Sequence, residues 1–399
     1  MSHLHTKAYS ILGLVLAGAT SHGLDPSRLL AIQKGPMVLK PQLTVATTYA
    51  DNINYREEDR IGDFLATISP GLSLQLGALD YNHATLTYFY DRIQHLDRSE
   101  FDANQHRIAL RTRFQRSRFT LDGRDDIQFL SSPLSGGFSL QGQMVDRTTF
   151  ADYYRLSYDL TDRTDIYGAI THWASDYQDD LPLYDSQTLI GTLGFGYKAF
   201  SRSFLFGEFY YGGTKNEVNL PAMADYPGVR FYGAFVGARG YFTEKLTGTV
   251  KGGYELREYG DNSASSGAPV AEVSLTQRFS EATVLTLAYT RRQYESVQFA
   301  RSTYVSDSIS ANLSQQVGSD ERLRAELQAA YMAATYEQNS QFARDRSDNL
   351  ITSGLTITYD VKLWMRLFGG YSFEWLDSTE PAISDYTVNR VTMGVQLGY

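Results

Sequence analysis

The feature that most constrains the fold is an alternation of apolar with polar or small residues from about residue 40 to residue 399. In segment 107–114 every second residue is apolar or Thr and the others are mostly basic: Ile108, Leu110, Thr112 and Phe114 against Arg107, Ala109, Arg111 and Arg113. An apolar face this uniform suits lipid, while the charged face suits a watery lumen. The pattern therefore predicts β-strands that cross a membrane.

Tight polar connections alternate with longer ones along the chain. The tight ones lie near 77–80, 115–117, 160–163, 199–203, 242–244, 279–282, 317–321 and 360–362. The longer ones lie at 51–61, 92–103, 131–147, 177–186, 213–228, 257–268, 295–303, 338–347 and 376–385. The count predicts an all-β, transmembrane antiparallel β-barrel of about 18 strands, within a range of about 16 to 20. Short turns then face the periplasm and long loops the outside.

The N-terminus reads as an export signal. Lys7 precedes an apolar run from Tyr9 to Ala17, and Ala17-Gly18-Ala19 has the form of a cleavage site. We expect a signal peptide over 1–19, a short periplasmic segment over 20–39 and the transmembrane barrel over 40–399. Cleavage near Gly23, or a short anchor helix, are the alternatives.

The C-terminus ends on an apolar alternating strand. Val395, Leu397 and Tyr399 share one face of this strand. An aromatic terminal residue of this kind resembles the signal that outer-membrane proteins present to the barrel-assembly machinery. The alternative is a plain edge strand that ends in Tyr. Together with the export signal, the strand predicts an integral protein of the Gram-negative cell outer membrane.

Composition excludes several classes of function. The chain has no Cys, so disulfides, thiolate catalysis and Cys-based metal sites are absent. The formal net charge of −9 argues against nucleic acid as a partner. The 29 Tyr and 33 Gly suit a curved antiparallel sheet with aromatic girdles.

Arginines dominate the predicted lumen. Arg107, Arg111 and Arg113 form a ladder on one strand, and Arg124 and Arg155 follow on the next two strands. Guanidinium groups in a water-filled lumen attract carboxylate and phosphate solutes. The alternative is ordinary cross-strand pairing with the nearby carboxylates, which are Asp122, Asp126 and Asp159. Charges of both signs are predicted to line the remaining wall, among them Glu208, Arg324, Glu326 and Arg366.

Loop 131–147 is long, flexible and partly apolar. It either folds inward and narrows the pore or stays outside as a mobile loop, and the sequence favours the external loop.

Catalysis and metal binding find little support. A hydrolase needs a Ser nucleophile beside a His. His106 with Asp102, or His95 with Asp97, would supply an acid–base pair, but nothing places a nucleophile beside either. The faces of the segment that carries His172 are ambiguous. We therefore expect no enzyme, no cofactor and no metal site.

Two diffuse segments carry a resemblance. They are Ile68-Ser69-Pro70-Gly71-Leu72-Ser73-Leu74 and the Tyr/Arg-rich Leu287-Ala288-Tyr289-Thr290-Arg291-Arg292-Gln293-Tyr294, in a chain with no room for a plug domain. With them, most of residues 40–399 resembles the putative β-barrel porin 2 family. Some of its members are associated with exopolysaccharide biosynthesis and export, so the resemblance implies polysaccharide as one candidate solute.

These features predict a porin-like channel for hydrophilic solutes, with outer-membrane lipid and the assembly machinery as partners. The alternative is a non-conducting scaffold or receptor barrel whose loops bind partners.

Overall fold

A computed structural model describes residues 31–78, 82–136, 140–178, 181–220, 228–260, 265–298, 303–318, 322–336 and 346–398. The strands are β1 (Ile32–Lys34), β2 (Met37–Ala50), β3 (Asp63–Gly77), β4 (His83–His95), β5 (Ala103–Arg116), β6 (Phe119–Pro133), β7 (Met144–Thr161), β8 (Thr164–Tyr177), β9 (Tyr184–Phe200), β10 (Ser203–Val218), β11 (Val229–Tyr241), β12 (Leu246–Tyr259), β13 (Ser265–Arg278), β14 (Thr283–Glu295), β15 (Thr303–Val317), β16 (Leu323–Tyr336), β17 (Arg346–Lys362), β18 (Met365–Ser378) and β19 (Tyr386–Leu397).

The strands form one closed antiparallel barrel. Each strand from β2 onward pairs with the next, and β19 pairs back with β2, which closes a barrel of 18 strands. The predicted fold class and strand count are therefore confirmed. Across the ranges given above, no helix is long and apolar enough to span a membrane.

The closing seam joins the two ends of the chain. Leu43 to Ala50 of β2 pair in register with Leu397 to Arg390 of β19. Just above the seam, Asn389 donates through Nδ2 to Asp51 Oδ2 at 2.7 Å. The short strand β1 pairs with Met37–Leu39, on the stretch of β2 that β19 does not reach.

The predicted terminal segments are covered only in part. Val395 and Leu397 pair with Val45 and Leu43 across the seam, as part of the last strand. Residue Tyr399 lies outside the described residues, and so does the segment assigned to a signal peptide. The export signal and the assembly signal therefore stay predictions.

Contacts that skip a strand identify the lumenal face. The Tyr167 hydroxyl on β8 donates to Glu208 Oε1 on β10 at 2.7 Å. The Tyr210 hydroxyl on β10 donates to Glu255 Oε2 on β12 at 2.9 Å. Such contacts need the concave side, where side chains of a curved sheet converge. The convex side carries exposed large apolar residues, for example Leu72, Ile170, Leu193, Val236 and Met393, as a lipid-facing wall requires.

We name the end of the barrel that carries the long loops the long-loop end, and the opposite end the short-turn end. Outward-facing tyrosines lie toward the long-loop end. Their hydroxyls donate to polar side chains on the neighbouring strand: Tyr154 to Asp125, Tyr289 to Asp307, Tyr331 to Asn349 and Tyr371 to Asn389. An interfacial girdle typically consists of aromatic rings that face lipid while their hydroxyls bind polar partners.

Several aromatic rings lie over a glycine that is their directly opposite partner on the adjacent strand. The register pairs are Gly71 with Phe89, Gly123 with Tyr154, Gly194 with Tyr167, Gly212 with Phe231 and Gly394 with Phe368. A Cβ on any of these glycines would overlap the ring that covers it. The glycines therefore let bulky rings lie flat on a strongly curved sheet.

We predict that Gly194→Ala destabilises the folded barrel by about 1–3 kcal/mol, because the new methyl displaces the Tyr167 ring in a packed wall. Gly191→Ala on the same strand is the control, since the nearest atom to its Cβ would be 4.0 Å away. We expect a change within about 0.5 kcal/mol there. The measurement is urea-induced unfolding in lipid vesicles, and equal stability of the two variants would contradict the covered-glycine account.

Candidate functional site

The lumen is the candidate site, and β5, β6 and β7 bring the predicted arginines together on its wall. Arg107 Nε donates to Asp91 Oδ2 on β4 at 2.7 Å. Arg113 Nη1 donates to Asp122 Oδ1 on β6 at 3.0 Å. Both guanidinium groups remain close to half exposed, so solutes in the lumen can still reach them.

Two arginines share one carboxylate. Arg111 Nη2 donates to both oxygens of Asp126, at 2.9 and 3.1 Å. Arg124 Nε donates to Asp126 Oδ2 at 2.7 Å. The Arg124 side chain is 62% exposed, so solvent screens the pair and it contributes little to stability. Asp126 cannot neutralise both positive charges, and this part of the wall stays basic.

Arg155 has no carboxylate partner within 4.0 Å among the described residues. Its guanidinium carbon lies 3.8 Å from the centre of the Tyr167 ring, a cation–π contact, and its Nε donates to Ser157 Oγ at 3.2 Å. Asp159, near the short-turn end of β7, also makes no ion pair in the described part of the chain. We call the five arginines on this side the basic wall: Arg107, Arg111, Arg113, Arg124 and Arg155.

A closed network of ion pairs follows on β10 to β14. Lys251 Nζ lies 3.0 Å from Glu208 Oε2 and 2.9 Å from Glu272 Oε2. Arg292 binds the same Glu272. The four side chains are 12–29% exposed. Positive and negative groups balance here, so this part of the wall exerts a weaker field than the basic wall.

A recess of about 400 Å³ lies beside this network. All of its lining side chains face the lumen, and the aromatic ones are Trp173, Tyr210, Phe235 and Tyr294. Tyr210 and Phe235 are almost fully buried. The volume lies in the range of small-molecule sites, so the recess is large enough for one small molecule.

A buried ion cluster holds the long-loop end of β12. Arg257 Nε lies 2.8 Å from Glu255 Oε1, and Arg257 Nη1 lies 2.9 Å from Glu295 Oε1. Arg257 Nη2 also donates to the Gln293 carbonyl. These three charged side chains are at most 6% exposed. Removing one partner of such a cluster leaves an uncompensated buried charge, which costs about 3–5 kcal/mol. We assign the cluster a structural role.

The facing wall, from β15 round to β2, is lined mainly by small neutral polar groups on its lumenal face. They include Ser310, Asn312, Gln328, Thr352, Thr356, Ser372, Thr392 and Thr48. Of the charged residues predicted here, Arg366 Nε donates to Asp360 Oδ1 at 2.6 Å. Arg324 and Glu326 form no ion pair within the described ranges. The ion pairs Arg346–Asp348 and Arg390–Glu374 also lie on this wall. Positive and negative groups therefore balance here, whereas the basic wall has more arginines than carboxylate partners.

In the loop between β6 and β7, residues 134–136 and 140–143 lie in the mouth of the barrel, in contrast to the external position that the sequence favoured. Gln141 Nε2 donates to the Ser384 carbonyl at 2.9 Å, and the Ser384 amide donates back to Gln141 Oε1 at 2.7 Å. The Gly136 amide donates to the Tyr386 hydroxyl at 2.8 Å. Tyr386 lies on the lumenal face of β19 and donates to Glu374 Oε1 at 2.7 Å. We name these contacts the mouth latch.

Apolar packing supports the folded loop. Leu134 and Val145, at the base of the loop, are buried against Leu181 and Leu183 from the β8–β9 loop. Val297, from the β14–β15 loop, packs on the same cluster. Loops from separate parts of the rim therefore meet over the mouth and narrow it.

Tyr55, in the loop between β2 and β3, lies at the latch. Its ring packs edge-on against Tyr386, with ring centres 5.2 Å apart, and its hydroxyl accepts from Arg390 Nη2 at 2.7 Å. Burial raises the pKa of the Tyr55 phenol, and the Arg390 charge opposes this only in part. The phenol is therefore neutral at physiological pH, so the latch does not depend on a tyrosinate.

The histidines do not form either of the two acid–base pairs considered from the sequence, His106 with Asp102 and His95 with Asp97. Asp102 lies near His95 rather than His106, with His95 Nδ1 3.8 Å from Asp102 Oδ1. His106 contacts the Tyr88 hydroxyl at 2.9 Å. His172, whose face the sequence left ambiguous, points outward and lies 2.8 Å from Asp152.

No serine nucleophile accompanies this outward pair, because Ile170 and Ala174 occupy the neighbouring outward positions on β8. Among the described residues, no group of three or more His, Asp or Glu side chains is placed to hold a metal ion.

We predict that Gln141→Ala combined with Tyr386→Phe raises the single-channel conductance, because the loop loses side-chain hydrogen bonds that contribute about 0.5–1.5 kcal/mol each. The control is Gln143→Ala, an exposed residue of the same type two positions away. Conductance in planar bilayers is the measurement. A double variant with the conductance of the unmodified protein would show that the latch does not narrow the mouth.

Comparison with known proteins gives a family match over part of the chain. Residues 230–399 match the model of the family described as putative beta-barrel porin 2. No curated protein matches the chain.

Three solved structures illustrate what the chain is similar to. OpdK from Pseudomonas aeruginosa is 11% identical, with 90% of this chain and 99% of that chain covered and a TM-score of 0.46. OccAB3 from Acinetobacter baumannii is 11% identical, with 90% and 98% covered and a TM-score of 0.45. A BenF-like porin from Pseudomonas fluorescens is 10% identical, with 90% and 99% covered and a TM-score of 0.45. The family match confirms, over residues 230–399, the resemblance to the putative beta-barrel porin 2 family, and the protein is a porin-like barrel integral to the outer membrane.

Proposed function

We propose that the protein is a passive channel for small hydrophilic solutes and that it prefers anions. A barrel of 16 to 18 strands encloses an aqueous channel unless a domain or loop plugs it. The observation that carries the anion preference is the basic wall. Its five arginines contact only three carboxylates, Asp91, Asp122 and Asp126, and Arg155 contacts none.

The basic wall lowers the entry barrier for anions without holding them. A guanidinium group presents a planar fork of donors that matches a carboxylate or phosphate. The wall arginines that form ion pairs are 38–62% exposed. An anionic solute therefore takes the place of a partly solvated protein carboxylate at the arginine. Such exchange allows rapid binding and release along the ladder, as conduction requires.

The rest of the lumen suits small polar solutes. Hydroxyl and amide groups of the facing wall replace part of the hydration of a passing solute at little cost. The folded loops leave a narrowed mouth, which favours small solutes over a polymer. Export of an exopolysaccharide therefore stays a prediction that rests on the family resemblance alone. Docking of the assembly machinery stays a prediction that rests on the C-terminal strand.

A second candidate is a receptor or scaffold barrel that does not conduct. The loops that meet over the mouth favour it, because their buried apolar cluster resembles a closed lid more than an open vestibule. Partners would then bind the loop surface and not pass through the lumen.

We predict that replacing Arg111 and Arg155 together by Gln lowers the anion-to-cation permeability ratio several-fold, since both charges face the lumen and neither has a carboxylate of its own. Arg113→Gln combined with Asp122→Asn is the matched control, because it removes a paired positive and negative charge together. We expect the control to change the ratio little.

The measurement is the reversal potential of the channel in a KCl gradient, at low and at high ionic strength. The difference between the variants should shrink at high salt, because the Debye length falls to about 3 Å at 1 M. An unchanged ratio in the arginine variant, or an equal loss in the control, would contradict the role of the basic wall.

A further inference from the structure

The outer wall of the barrel carries an apolar groove across β7 to β11. Its volume is about 980 Å³. Every residue considered below lies on the convex face, opposite to the lumenal residues in the strand register. The groove therefore opens toward the membrane and not into the channel.

Bulky residues form the walls of the groove, and glycines expose its floor. Leu193 is 70% exposed and Phe209 and Tyr211 are each 53% exposed. The floor lies at Gly168 and Gly191, where a Cβ would find its nearest neighbours at 3.7 and 4.0 Å. Among the described residues no aromatic ring covers these two glycines, unlike the glycines described above. The groove is therefore unfilled by the described part of the protein.

Two basic residues line the groove at the long-loop end. Lys215 and Arg230 lie on adjacent strands, two positions apart on the same face, where diagonal neighbours are about 7–8 Å apart. Neither residue forms an ion pair within the described ranges. Glu258, opposite Arg230 on β12, instead accepts from the Tyr232 hydroxyl at 3.3 Å. Glu217, further along β10, does not line the groove.

The height of these cations matches a headgroup layer. Lys215 lies about 12 residues above Ser203, where β10 begins at the short-turn end. With a rise of about 3.3 Å per residue and a tilt of about 40°, this places its Cα about 30 Å above that end. The apolar band of such a barrel is about 25 Å tall. The cations therefore sit just beyond the hydrocarbon, and the groove descends from them into it.

We propose that this groove binds one lipid whose acyl chain lies over Gly168 and Gly191 and whose anionic phosphate headgroup contacts Lys215 and Arg230. Apolar walls at membrane depth suit a hydrocarbon chain, and two cations that form no ion pair with the described residues suit a phosphate at headgroup height. In the outer-membrane arrangement this lipid belongs to the extracellular leaflet. The site is independent of the proposed channel, because it faces away from the lumen.

The test uses the full-length protein, delipidated in a non-ionic detergent, with lipid retention measured by native mass spectrometry. Dioleoyl phosphatidylglycerol and dioleoyl phosphatidylcholine serve as probes, since they share acyl chains and differ in net headgroup charge. We expect phosphatidylglycerol to bind on the order of tenfold more tightly. Lys215→Gln with Arg230→Gln should abolish this difference and leave the weaker phosphatidylcholine binding intact.

A second pair of variants tests the acyl chain. Gly191→Leu fills the floor of the groove and should reduce retention of both lipids. Gly252→Leu is the control, because it also faces outward and a Cβ there would have no neighbour within 4 Å, but it lies outside the groove. Channel conductance is measured in parallel and should be unchanged in every variant, which shows that each variant barrel is folded.

Equal binding of the two lipids to the unmodified protein would overturn the proposal. So would an unaltered preference in the Lys215 and Arg230 variant, or equal retention by the Gly191 and Gly252 variants. A dimer that dissociates on Gly191→Leu would show that a second copy of the chain covers the groove, and this also overturns the lipid assignment.

Discussion

The rest of the structure depends on one constraint, which is that a strand in lipid must satisfy every backbone hydrogen bond within the sheet. The pairing of β19 with β2 meets this constraint by removing both edges of the sheet. Closure then divides each strand into two faces with different solvents. The convex face meets lipid and is apolar, and the concave face meets water and can carry charge.

Curvature adds a second requirement, because side chains converge on the concave face. Several large rings there lie over a glycine of a partner strand, as Tyr167 does over Gly194. Tyr167 in turn stacks on Arg155 and donates to Glu208. One covered glycine thus connects the packing of the wall to the electrostatics of the lumen. On the convex face, Gly168 and Gly191 have no aromatic ring over them, and they form the floor of the outer groove.

The periodicity of the sequence was sufficient to predict the barrel, the strand count and the positions of the turns, because alternation and turn chemistry are local. It was not sufficient where both faces of a strand are bulky. His172 stayed unassigned because β8 carries Ile166 and Ile170 outward but Tyr167 and Trp173 inward. The contact of Gln141 with Ser384 joins residues far apart in sequence, so no local pattern indicates that the loop folds inward. Pairings such as Arg107 with Asp91 follow only from the register of two strands.

The central claim is that the lumen conducts despite the loops that meet over its mouth. The most direct measurement is the current of the purified, unmodified barrel in a planar lipid bilayer, with folding checked by resistance to denaturation before heating. The account predicts discrete and stable conductance steps. A folded barrel that inserts without any steps would contradict the channel and would favour the receptor or scaffold.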